Sequence, residues 1–468
     1  MKIKLKIILI AIISLASVSC SEKLDLVPIT QKSAANFYSN EQEIETAVIG
    51  VYAQLQNNGL YGLDLIGVGE IPAEDSFEEI AANDGGRFGQ LDDFSTNAGN
   101  DLVGDIWRES YEGIQRVNVV LNRIDDIEFE EATVKTARKG EMKFVRGLLY
   151  FNLVRLYGDV PIVLEETTNP SEYFGQERNQ ASDIYVQIES DLKEAIQFLP
   201  TSKSSGRPSK EAALALLGDV QMTQGKYSEA VNQLASVVNS GVYSLMSSTS
   251  LIFGKANEGN SEILFEVQYE SGVNGNSEGE SAASQFKPSG TTANAKGHNL
   301  PSTDFVNLFE ANDSRKNDFV GLDATANPFF YSAKYEVSQT GPDDGSTNHI
   351  VIRYADVLLK YAEALNETGG ADVAKYLNMV RNRAGLENTT ATTQEELRKA
   401  ITMERRLEFI GEGHRWFDLK RTGKAIETMN AWFSSNDINV TISAKNLFLP
   451  VPQSQIDTDP AIVQNPGY

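Results

Sequence analysis

Apolar residues recur at helical spacing along most of this chain, and three times they do so in helix–turn–helix pairs. Ala213, Leu216, Leu217 and Gly218 lie on one stretch, Gly225 and Tyr227 mark a turn, and Ala230 and Leu234 lie on the next. This is a fair match to a tetratricopeptide repeat, whose small residues allow close helix contact. A second pair covers 353–369 and 372–384. A third begins near Gln394, and its first helix carries Glu404-Arg405-Arg406-Leu407-Glu408. One pair cannot bury its apolar face alone, so consecutive pairs stack over a shared core. The expected fold class is mainly α: a tetratricopeptide-like superhelix of helical pairs with long loops and a few short strands.

The first half adds longer helices. Ser39-Asn40-Glu41-Gln42 begins a capping-box pattern, followed by Ile44, Val48, Tyr52 and Leu55. Trp107, Tyr111, Ile114, Asn118 and Leu121 share one face. Residues 135–157 read as a long helix ended by Gly158, and the stripe from Ile184 to Leu199 is stopped by Pro200. Segments 59–101 and 271–299, rich in Gly, Asn and Asp or Ser, read as loops. Segments 263–269 and 448–451 read as short strands. Loops longer than roughly 15 residues in a compact protein are usually functional or disordered, so these are the first place to look for a ligand.

The N-terminus bears on compartment. Lys2, Lys4 and Lys6 precede an apolar run from Ile7 to Val18, then small residues and Cys20, the only cysteine. This is the pattern of a secretory signal over 1–19, too short to span a bilayer. Cys20 stands where a bacterial lipobox places the lipidated residue; an ordinary signal peptide ending near a cysteine is the alternative. One cysteine excludes a disulfide scaffold. A net charge of -24, from 41 Lys+Arg against 65 Asp+Glu, argues against nucleic-acid binding. His298, His349 and His414 have no metal-ligand spacing, and neither a metal nor a cofactor is expected.

The ordered motifs resemble the SusD/RagB family, surface lipoproteins of Bacteroidetes nutrient uptake. They include Phe37-Tyr38-Ser39-Asn40, Arg146-Gly147-Leu148-Leu149-Tyr150-Phe151 and Leu156-Tyr157-Gly158-Asp159-Val160-Pro161. Later come Arg353-Tyr354-Ala355-Asp356, Val380-Arg381-Asn382-Arg383-Ala384-Gly385, Gly413-His414-Arg415-Trp416-Phe417-Asp418-Leu419 and Asn465-Pro466-Gly467-Tyr468. The match runs from Cys20 to Tyr468, so one domain over 20–468 is expected, with a ligand face from about 59–101 and 271–335. The resemblance implies a non-enzymatic receptor, anchored through Cys20 in outer-membrane lipid and facing the cell exterior. It would pass oligosaccharide to a TonB-dependent outer-membrane transporter of the SusC type. A peptide receptor of the same architecture is the alternative.

Glu404 and Glu408 lie four residues apart on one helix, where like charges repel unless cations intervene. An ion network with Arg405, Arg381, Arg383 and Arg415 is expected. A glycosidase would need two carboxylates about 5–10 Å apart across a cleft, and a packed helix face leaves no room for a sugar. Trp107, Tyr111, Trp416, Trp432 and His414 read as core. A sugar site needs an exposed ring for its C–H face and polar groups at the rim. The first loop offers Tyr61, Asp75, Phe77, Arg87 and Phe88. The second offers Phe286, Lys287, Asn294 and His298, and a further segment has Phe329-Phe330-Tyr331. The resemblance puts the platform aromatic between Asp75 and Trp107, where this chain has Phe88 and many glycan-binding relatives have Trp. The expected ligand contacts are Phe88, Arg87, Asp75, Phe77, Tyr61, Phe286 and Phe330. The acidic surface makes a neutral glycan the better guess, unless Arg87 or Lys287 reverses this locally.

Overall fold

The structure, a computed structural model, describes residues 37–468 except 203–205, 274–277, 326–327, 337–340 and 342. The expected signal segment and the Cys20 anchor lie outside the described residues. The first described helix is Glu41–Leu55. Its cap is one residue later than expected: Asn40 accepts from the Glu43 amide at 3.1 Å, while Glu43 reaches back to the Ser39 amide at 2.7 Å. Helices Asp101–Arg123, Ala132–Tyr157 and Ala181–Phe198 follow, each packed on the one before it or on Glu41–Leu55. Gly158, at φ 73, ends the second of these, as its position predicts.

The pairs stack as the periodicity requires. Lys210–Thr223 turns at Gly225 into Tyr227–Ser240, and Tyr354–Thr368 turns into Val373–Arg383. A Cβ on Gly218 would lie 2.8 Å from Leu234 Cδ2, so only glycine allows this helix approach. Tyr354–Thr368 packs against both Tyr227–Ser240 and Gln394–Glu408, which joins the pairs. Gln394–Glu408 opens with a complete capping box from Thr393 and Glu396. One apolar cluster runs through these helices from Ile44 to Ile462.

Two expectations fail. Segment 59–101 is not an open loop; it is a folded run of short helical turns, including Asp64–Val68 and Gly89–Asp92, and much of it is buried. Its glycines serve close approach. A Cβ on Gly69 would fall 2.0 Å from the Gly413 carbonyl oxygen. Segment 448–451 joins no ladder; the Leu449 amide donates instead to Leu156 O at 2.7 Å. The strands are β1 Ser76–Phe77, β2 Ile263–Val267, β3 Leu300–Pro301, β4 Val320–Leu322, β5 Phe330–Ser332 and β6 His349–Arg353. Among the described residues they form antiparallel ladders β1–β3, β2–β6 and β4–β5.

The acids of Gln394–Glu408 do sit in a buried ion network, with partly different partners from those expected. Arg315 reaches Glu404 at 2.7 Å and Glu408 at 3.0 Å, Arg353 reaches Glu408 at 2.6 Å, and Arg383 also pairs with Glu408. Arg381 pairs with Glu404 at 3.1 Å. Arg405 turns away to Asp356 and Asp418, and Arg415 to Glu74. Burial alone would raise the Glu408 pKa, but Arg383, Arg353 and Arg315 outweigh it and hold the carboxyl well below its ordinary value.

Candidate functional site

Most of the residues chosen from the first loop are structural. Phe88 has no exposed surface. Its ring lies where a Gly67 side chain would be, with a Cβ built on Gly67 only 2.4 Å from Phe88 Cε1. The ring also packs on His298, with centroids 4.5 Å apart. It therefore presents no platform: the missing side chain at Gly67 opens a slot that an apolar ring fills. Tyr61 is buried, its hydroxyl accepts from Asn152 at 2.9 Å, and it lines a small cavity of about 70 Å³. Ligand pockets are roughly 300 Å³ or larger, so this cavity holds no sugar. Asp75 is buried, and its two oxygens share the Nε–H of Arg406 at 2.7 and 2.8 Å. Arg87 is spent on Asp64 and, at 2.9 Å, on Asp105. Phe286 is buried edge-on to Tyr335, centroids 6.1 Å apart.

Phe77 and Phe330 keep partial exposure, and they lie in one neighbourhood. β1 places Phe77 opposite Leu300 of β3, and β3 packs beside β5. The Phe77 and Phe329 rings lie 6.0 Å apart at 55°. Side chains alternate along β5, so Phe330 and Tyr331 take opposite faces. Phe330 packs on the apolar cluster of Phe305, Phe309 and Phe319. Tyr331 lies flat over Gly321, where a Cβ would fall 2.2 Å from Tyr331 Cζ. Lys287 Nζ stands 3.9 Å from the Tyr331 ring centroid and donates to Ser332 O at 3.3 Å. Burial pulls the Lys287 ammonium down to about 8.

The arrangement is a half-exposed rim of Phe77, Phe329 and Tyr331 with one ammonium beside it. Beneath it, polar atoms are left over. Asn299, at φ 55, is buried with neither side-chain amide atom hydrogen-bonded among the described residues, and Ser76 Oγ and Ser332 Oγ are in the same condition. Buried polar groups nearly always find a partner, so these atoms mark a place suited to buried water. His298 is otherwise engaged, with Nδ1 2.6 Å from Glu78 and Nε2 3.2 Å from Asp84. Lys287 was visible in the sequence as a loop residue, and Phe329 and Tyr331 as part of a further aromatic segment. The signal that singles out Tyr331 is Gly321, its cross-strand partner, and that pairing is not visible along the chain.

A second concavity, an open groove of about 630 Å³, lies along Trp107, Tyr111, Tyr173 and Phe174. Three of its polar side chains are used internally: Tyr111 donates to Pro161 O, Gln115 exchanges two hydrogen bonds with Thr167, and Gln176 donates to Ile162 O. Among the described residues no group of three His, Cys, Asp or Glu is placed to hold a metal ion, and no helix is long and apolar enough to cross a membrane.

Residues 324–468 match the family model described as "SusD family", and residues 26–222 match one described as "Starch-binding associating with outer membrane". SusD-like protein P25 of Formosa agariphila is 29% identical over 528 residues, covering 96% of this chain and 97% of its own. A solved structure named as a laminarin binding SusD-like protein is 30% identical and covers 92% of this chain and 100% of its own, with a TM-score of 0.80. Surface glycan-binding protein A of Bacteroides fluxus has the same fold, with a TM-score of 0.80 at 23% identity, over 92% of this chain and 100% of its own.

Proposed function

This chain belongs to the SusD/RagB family, and from that premise we propose that it is a non-catalytic receptor that binds oligosaccharide at the Phe77–Phe329–Tyr331 face. Proteins of this family are binding proteins, not enzymes. The observation that carries the reading is the gathering of three half-exposed rings, Phe77 from β1 and Phe329 and Tyr331 from the β5 segment, on either side of β3. Such rings offer faces to sugar C–H groups, and a polar rim supplies orientation. The laminarin-binding relative supports a glycan as the ligand class.

The receptor delivers its ligand to a TonB-dependent outer-membrane transporter and is held at the outer surface through lipid on Cys20. Two or more acyl chains at that residue would make the attachment stable. The decisive experiment is calorimetry of the purified protein against a panel of oligosaccharides, β-glucans included, beside a peptide digest. Binding of one or more glycans without new reducing ends is the expected result. Peptide binding with every glycan silent would reverse the reading in favour of a peptide receptor. Co-purification from membranes with an outer-membrane barrel, and loss of membrane retention in Cys20→Ala, test the partner and the anchor.

A further inference from the structure

The cations around the ligand face are almost all committed. Arg87 is held by Asp64 and Asp105, Arg406 by Asp75, Arg415 by Glu74, Lys296 by Asp84 and Lys334 by Glu412. Lys287 is the exception. It stays half-buried, touches the Tyr331 ring and one backbone carbonyl, and forms no ion pair among the described residues. An ammonium has three donors, and a carbonyl and a π face do not replace the water it has lost. Its lowered proton affinity is caused by burial alone, with no neighbouring charge contributing. A cation left in this condition, beside the rings that would receive a sugar, gains most from an incoming anion.

We propose that Lys287 sets the ligand class of this face by pairing with a carboxylate or sulfate substituent of the bound sugar, so that the preferred ligand is an acidic oligosaccharide. The inference rests on the reading of the face as a glycan site. It departs from the expectation drawn from net charge. The excess of acids acts at long range, where salt screens it beyond roughly 8–10 Å. A contact pair in a half-buried site is screened far less, so the local cation decides the preference. Tyr331, fixed over Gly321, holds the ammonium in place before the ligand arrives.

The test uses the full-length protein and tetrasaccharides of one backbone in unsubstituted, uronate-bearing and sulfated forms. Wild type should bind at least one acidic form about tenfold or more tightly than the unsubstituted one, and the two acidic arms identify the substituent. Lys287→Met keeps the packing over Tyr331 and should reduce that preference to parity; Lys287→Arg should retain it. Equal or tighter binding of the neutral form by wild type overturns the proposal and leaves the receptor reading standing. Persistence of the acidic preference in a folded Lys287→Met protein overturns it too. Silence of all three forms, and of the wider glycan panel, removes the receptor reading and this inference together. The wild-type comparison stands even if the Met variant fails to fold.

Discussion

At Glu408 three guanidinium groups converge on one buried carboxylate, whereas at Lys287 a half-buried ammonium meets only a ring and a carbonyl. Both places carry charge out of bulk water. At the first, each desolvated charge has a fixed counter-charge, and the result is a joint between helical pairs. At the second, the counter-charge is not supplied by the fold. The contrast separates charges that hold the chain together from charges available to a ligand, a distinction that residue type alone does not make. Asp75 and Arg87 look like rim residues by composition, yet they belong with the Glu408 group.

The comparison is broken most severely at its first member. Glu408→Ala should cost about 3–5 kcal/mol of stability, because it leaves buried guanidinium groups uncompensated; urea denaturation reads the loss. If the cost were under 1 kcal/mol, the joint would not be a stabilising one. Phe88→Ala should cost a similar 3–5 kcal/mol through the cavity it opens over Gly67. Any variant protein that still folds should bind glycan as wild type does, which calorimetry checks.

Tyr331→Ala and Phe77→Ala should do the reverse. Each lowers glycan affinity about tenfold, or about 1.4 kcal/mol, with a thermal midpoint close to wild type. Losses of stability without loss of affinity would place these rings with the core. Glu70→Gln sharpens the contrast at the small end. Burial, with Asp75 adding to it, pushes the Glu70 carboxyl up to about 8, and its Oε2 accepts from the Gly413 amide at 3.0 Å. A neutral acid is thus already in place at pH 7, and the amide keeps the acceptor, so the change should be within about 1 kcal/mol. The folded pKa lies above the unfolded 4.5, so the wild type loses stability as pH rises from 4.5 through about 8. The variant lacks that loss, and its relative stability should climb across this window in denaturation at several pH values.

The helices were legible because burial repeats every three to four residues, and caps and stops such as Gly158 and Pro200 are local signals. Segment 59–101 was misread because glycine marks two different things. In a loop it gives freedom, but Gly67 and Gly69 are glycine because a ring and a carbonyl occupy the space of their side chains. Glu404 and Glu408 were legible as a pair needing cations. Arg315 and Arg353 were not foreseen as their partners, since nothing local connects positions so distant in the chain. Aromatic residues of the proposed ligand face were visible too. Their exposure was not, because it depends on what lies beneath each ring: Gly67 buries Phe88, while Gly321 holds Tyr331 flat at a strand surface.

The Glu408 joint also orders events in time. It draws its groups from Glu262, Arg315, Arg353, Arg383 and Glu408, so the last of them to be synthesised is an acid near the end of the chain. A nascent chain that ends before Glu404 holds all three arginines with only Glu262 and Asp313, of the acids that pair with them, to receive them. Fewer counter-charges then offset their desolvation, and the joint closes fully only once Glu404 and Glu408 are available. Late closure of this kind keeps a polypeptide extended until its synthesis is nearly complete.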